Sequence, residues 1–119
     1  MEEQPVLISD NDSIAYYKKR KEEDASLLGQ CIALQLRELW EAKQLCRSDV
    51  AQCVGVDEAE IEAFEITGDA DMHIVFSIIE LLDIELTDIL IKAQKRMCQI
   101  RLAEGKDPIV FFKEGKTES

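Results

Sequence analysis

Between Pro5 and Pro108 the chain carries no proline. Proline is excluded from helix interiors because its ring removes an N–H and collides with the carbonyl four residues back. In a chain of 119 residues this leaves almost the whole length open to helix. Glycine supplies the stops. Gly55 and Gly68 stand where apolar-periodic segments end, and glycine enters the left-handed conformation of a helix terminus with little strain. The length fits one domain. Apolar residues at 46% and charged residues at 33% support a packed core rather than a disordered chain.

Periodicity places the elements. Asp12 or Ser13 is positioned to cap a helix from Ile14. Leu28, Ile32, Leu36 and Leu39 recur at three- and four-residue steps and predict an amphipathic helix to about Lys43. A short helix from Ser48 to Val54 stops at Gly55. Asp57 caps a third, from Glu58 to Ile66, with Ile61, Phe64 and Ala63 inward, and Gly68 closes it. Asp71 caps a fourth, from Met72 to Leu82, whose Ile74, Val75, Ile78, Ile79 and Leu82 predict near-complete burial. A fifth starts at Thr87 and reaches about Ala103. Trp40 is expected to pack on the flank of the Leu28–Lys43 helix, beside Leu36 and Leu39, the alternative being an exposed aromatic anchor for a partner.

Both ends extend beyond this set, giving an N-terminal extension (1–25), a helical domain (26–91) and a C-terminal extension (92–119). Val6-Leu7-Ile8 and Ile109-Val110-Phe111-Phe112 read as short strands that need a cover, either each other or a second chain. Leu86, Leu90, Ala93, Met97 and Ile100 follow a 4-3-4-3 spacing that makes a helix–helix seam, within the chain or between chains. A homodimer is expected, with these five residues, Ile109 and Phe111 at its interface. The basic run Lys18-Lys19-Arg20-Lys21 is answered at once by Glu22-Glu23-Asp24, the pattern of a solvated helix face.

The chemistry-bearing residues point away from catalysis. Cys31, Cys46, Cys53 and Cys98 form no CxxC pair, and His73 is the one histidine. Zinc sites usually draw such ligands from tighter paired spacing. Cys46 and Cys53, two helical turns apart, are too few for one, so mostly buried, reduced thiols are expected. No glycine-rich phosphate loop or nucleophile–histidine set is present. No enzyme and no cofactor are expected. No apolar run is long enough to cross a bilayer. The first residues lack a basic region followed by a long apolar one, so a cytoplasmic protein is expected.

The order short helix, Gly55, short helix, buried helix resembles the Cro/CI-like (XRE) family of helix-turn-helix regulators. Leu28-Gly29-Gln30 and Ile32 resemble that family's opening. Leu39, Glu41-Ala42-Lys43 and Leu45 resemble the end of its first helix. Asp49-Val50-Ala51 and Val54-Gly55-Val56 resemble its second helix and turn. Ile61 and Glu65 match its third helix. Ala70-Asp71-Met72 stand where the family often has Pro-Ser-Leu. Leu82 and Ile84 through Leu90 match the close of the domain, so that about half the chain is covered. The resemblance implies an all-α, lambda-repressor-like five-helix domain that binds operator DNA as a dimer, third helix in the major groove.

The surface departs from that pattern. Trp40 stands where a basic residue is usual, and Arg47 where Gln is usual. Asp57, Glu58, Glu60, Glu62 and Glu65 fall within nine residues. From Ser48 to Ile91 there are twelve acids and no Lys or Arg, in a chain of net charge −11. DNA affinity rests on neutralised phosphates. Each close like-charge pair costs about 1 kcal/mol even in water. The reading this favours is a small regulator whose acidic third helix, with Asp69 and Asp71, meets a basic protein partner. The alternative is a DNA-binding repressor touching phosphates through Arg47, Lys18, Lys19, Arg20 and Lys21, with Lys92, Lys95, Arg96 and Arg101 on the last helix as further candidates.

Overall fold

The computed structural model describes residues 10–113, with side chains from residue 14 onward. Among the described residues the chain is all-α, with five helices and no strand. They are α1 (Asp10–Ala42), α2 (Arg47–Val54), α3 (Glu58–Thr67), α4 (Met72–Leu82) and α5 (Leu86–Ala103).

α1 is a single helix of 33 residues, about 50 Å long at 1.5 Å per residue. It passes without a break through the expected boundary at 25/26, and α5 likewise passes through 91/92. The charged segment between Ile14 and Leu28 contains no Gly or Pro, and Arg20 donates from Nη1 to the Tyr16 hydroxyl one turn back at 3.1 Å. Nothing local therefore interrupts the helix. α1 ends without glycine. Gln44 takes a φ of 67°, and the Leu45 N–H closes onto the Trp40 carbonyl at 2.9 Å.

α2 and α3 stop as expected, on Gly55 at φ 88° and Gly68 at φ 76°. Asp57 and Asp71 do occupy the cap positions, with extended backbone, but their side chains make no capping bond. Their carbonyls take that role instead, accepting the Glu60 and Ile74 N–H groups at 2.9 Å each. α2 has a different cap. Asp49 Oδ2 accepts the Cys46 N–H at 2.9 Å and the Cys46 thiol at 3.1 Å. These two bonds, the backbone one first, hold its carboxyl below the usual range.

The main core joins α1 to α4 through Leu36, Trp40, Val50, Ile61, Phe64, Ile78 and Leu82. Trp40 is 1% exposed, as expected of a core residue. Ala63 is exposed, contrary to expectation. Once Ile61 and Phe64 both face inward, a position two past one and one before the other turns to solvent at 100° per residue. Val75 is half-buried rather than buried. α1 crosses the end of α3 at Gly29. A β-carbon there would sit 2.9 Å from Gly68 Cα and closer still to the Gly68 carbonyl, so only glycine permits that approach.

A second, smaller core holds α5 to α1 through Leu28, Cys31, Ala93 and Met97, with Phe111 and Phe112 packed on it. The expected strand at Ile109–Phe112 is instead an irregular strap, bent at Phe112 and with no strand partner among the described residues. Its backbone is met by two buried side chains. Asp24 Oδ2 accepts the Ile109 N–H at 2.9 Å, and Gln94 Oε1 accepts those of Phe111 and Phe112 at 2.7 and 2.8 Å. Val6-Leu7-Ile8 lies outside the described residues. None of the described helices is long and apolar enough to cross a membrane.

Candidate functional site: the acidic face of α3

α3 is held by its apolar side and by one carboxylate. Ile61 and Phe64 enter the core, and Glu65, 12% exposed at the side chain, faces two arginines. Arg47, the first residue of α2, grips it with both arms: Nε to Oε2 and Nη2 to Oε1, each 2.9 Å. Arg37 of α1 adds Nη1 to Oε1 at 2.8 Å and spans to Glu41 Oε2 at 2.9 Å. The Arg47 hydrogen bonds, opposed by burial and helped by the Arg37 charge, hold the Glu65 carboxyl below its usual value. The same bonds keep the Arg47 guanidinium more firmly protonated than usual. Glu58 lies 3.9 Å from Arg47 Nη1.

With Glu65 turned inward, the outer surface of α3 is left to Asp57, Glu58, Glu60 and Glu62, all exposed. Asp69 and Asp71, in the loop that follows, are exposed as well. All six predicted acids are therefore exposed, four on or capping α3 and two in the loop after it. Arg47, the described cation that meets α3 at its start, is already engaged by Glu65 and Glu58.

The proposed phosphate contacts fare unequally. Lys18, Lys19 and Lys21 are exposed on the N-terminal half of α1. Arg20 is turned to Tyr16 and to the Asp107 carbonyl. Arg96 meets Glu38 at 3.3 Å, and Arg101 meets the buried Asp24 at 2.8 Å. All five arginines of the chain are thus engaged within it. Lys92 and Lys95 are exposed on α5.

The residues expected at a dimer interface divide. Ala93 and Met97 have no exposed surface at all. α1 fills their seam from within the chain, so neither has anything left to offer a partner in this arrangement. Leu86 and Leu90 are half-buried and line an apolar cavity of about 320 Å³ with Ile32, Phe64 and Phe112. Ile109 and Phe111 are half-buried in the strap, and Ile100 is exposed. The thiols correct another expectation: Cys31 is buried, but Cys46 and Cys53 are exposed and Cys98 is intermediate.

Several site residues escape a sequence reading. Asp24, read as part of a solvated acidic run, is 1% exposed. Gln94, beside the seam, is 7% exposed. Arg37 gives only the Glu41 spacing as a signal. The bonds of all three that matter reach far along the chain. Comparison with family models, with curated proteins and with solved structures finds no match to this chain.

Proposed function

We propose that this chain is a small, non-enzymatic regulatory protein of the cytoplasm, acting in transcription control through a helix-turn-helix unit formed by α2 and α3. Its target is a basic protein surface, such as the DNA-binding face of another regulator, received on Asp57, Glu58, Glu60, Glu62, Asp69 and Asp71. The observation that carries this reading is the fate of Arg47. It is the cation placed to meet a phosphate, and it is bound at 2.9 Å by both oxygens of Glu65. A polyanion approaching α3 would meet exposed carboxylates and no available guanidinium, whereas a basic peptide would gain from each of them.

The probe is an arginine-rich peptide titrated into labelled protein by NMR. Amide shifts are expected along α3 and the 69–71 loop, weakening with salt and lost in the Glu58→Gln/Glu60→Gln/Glu62→Gln variant. Shifts scattered elsewhere, or unaffected by those changes, would contradict the assignment.

DNA binding is the second reading, because Lys18, Lys19 and Lys21 stand exposed together on α1. They lie far along that helix from the segments that meet α3, so they would act as a backbone clamp rather than read bases.

A further inference from the structure

The groove between α1 and α5 holds the 109–112 segment by its backbone. Gln94 commits its whole amide to the strap. Its Oε1 accepts two consecutive N–H groups, of Phe111 and Phe112, and its Nε2 donates to the Phe112 carbonyl. Asp24 accepts the Ile109 N–H through one oxygen and holds Arg101 through the other. Phe111 and Phe112 lie on the apolar floor of Leu28, Cys31, Ala93 and Met97. None of these contacts requires the strap to belong to the same chain.

The tether between α5 and the strap is a turn, met on α1 by the Arg20 bond to the Asp107 carbonyl. The chain reverses at Gly105, where φ is 76° and nothing lies near a would-be side chain. Two turn bonds close the reversal: Gly105 N–H to the Leu102 carbonyl at 3.0 Å, and Lys106 N–H to the Arg101 carbonyl at 2.9 Å. Around this hinge the chain leaves large apolar residues in water, Leu102 at 62% and Val110 at 55% exposure, with Ile100 beside them on the last turns of α5.

We infer that this groove takes Ile109–Phe112 from a second copy, two chains exchanging straps about Gly105 to form a closed pair. Opening the hinge alone would expose the apolar floor of Leu28, Cys31, Ala93 and Met97 to water and exchange the strap bonds of Gln94 and Asp24 for bonds to solvent. A second copy supplies the identical backbone pattern and the same two phenylalanines. Exchange of an identical element needs no new interface chemistry, and its reciprocity closes the pair instead of propagating a fibre. The hinge, where the chains of an exchanged pair cross, is flanked by the exposed apolar side chains of Ile100, Leu102 and Val110.

The test begins with the unmodified protein, in sedimentation runs from micromolar to millimolar. A concentration-dependent dimer is expected; a monomer throughout would overturn the inference. A strap-defective copy (Phe111→Ser with Phe112→Ser) and a groove-defective copy (Gln94→Ala) are each expected to lose the dimer. Mixed in equal amounts, they should recover part of it, because one intact groove then meets one intact strap. A dimer that both variants retain would refute exchange. Should either variant fail to fold, labelled and unlabelled wild-type chains unfolded and refolded together decide the matter by filtered NOEs. Contacts from Phe112 of one copy to Met97 of the other are expected, and contacts confined to single chains would refute exchange.

Discussion

Glu65 bears more of the molecule's organisation than any other ionised side chain on α3. It ties the start of α2 to α3 through Arg47 and reaches α1 through Arg37. Its folded-state pKa is depressed, so its contribution is fully present above the ordinary glutamate value of 4.5 and is lost as pH falls from there. Glu65→Gln should lower stability by about 1–3 kcal/mol near neutral pH, since two partly buried guanidinium groups lose an ionised acceptor. Denaturant melts across pH would show the gap between variant and wild type narrowing below that value. A gap constant down to strongly acid pH would mean that the ionised Glu65 carboxylate is not what stabilises the fold here. Two glycines make a second contrast. Gly55→Ala meets only the left-handed backbone penalty of about 1–2 kcal/mol. Gly29→Ala should lose more, because a methyl group there strikes the Gly68 backbone, which cannot swing aside as a side chain can. Equal losses in thermal melts would mean that α1 and α3 can separate at little cost.

At the scale of elements, the strap and its groove are the least local part of the fold. Asp24 bonds to Ile109, 85 residues away, and to Arg101, 77 away. Asp24→Ala should cost about 3–5 kcal/mol, because it leaves a nearly buried guanidinium and a strap N–H without their acceptor. The double change Asp24→Ala/Arg101→Leu should regain part of that loss in a denaturant midpoint. A double variant worse than the sum would show that the pair is more than mutual compensation. The same distances explain what the sequence reveals and what it hides. Helix ends at Gly55 and Gly68, the inward side of α4 and the burial of Trp40 follow from spacing within one or two turns, and each is legible. Ile109-Val110-Phe111-Phe112 has the side chains of a strand, and the sequence reading accordingly makes it one. Its backbone partners are two side chains on distant helices, which no local pattern records. Asp24 is hidden for the same reason: beside Glu22 and Glu23 it looks like one more solvated acid. The exposed acids of α3 are fully legible by contrast, since they follow from where Ile61 and Phe64 must point. That Arg47 is occupied is not, because Glu65 lies 18 residues on.

For the whole molecule, charge and its placement matter more than helix count. The chain carries −11 overall, and its lysines and arginines fall outside the stretch from Ser48 to Ile91 that holds α3. The arginines are turned to acids, to a tyrosine hydroxyl or to a backbone carbonyl of the same chain. The surface therefore divides into an acidic α3 region and an α1 end bearing Lys18, Lys19 and Lys21. The first of these repels a polyanion. Fluorescence anisotropy of a labelled mixed-sequence duplex at about 50 mM salt, where phosphate contacts are strongest, tests it most directly. No saturable binding by the wild type is expected, even with Lys18, Lys19 and Lys21 intact. Tight binding that weakens steeply with salt and is lost on changing α3 would contradict it.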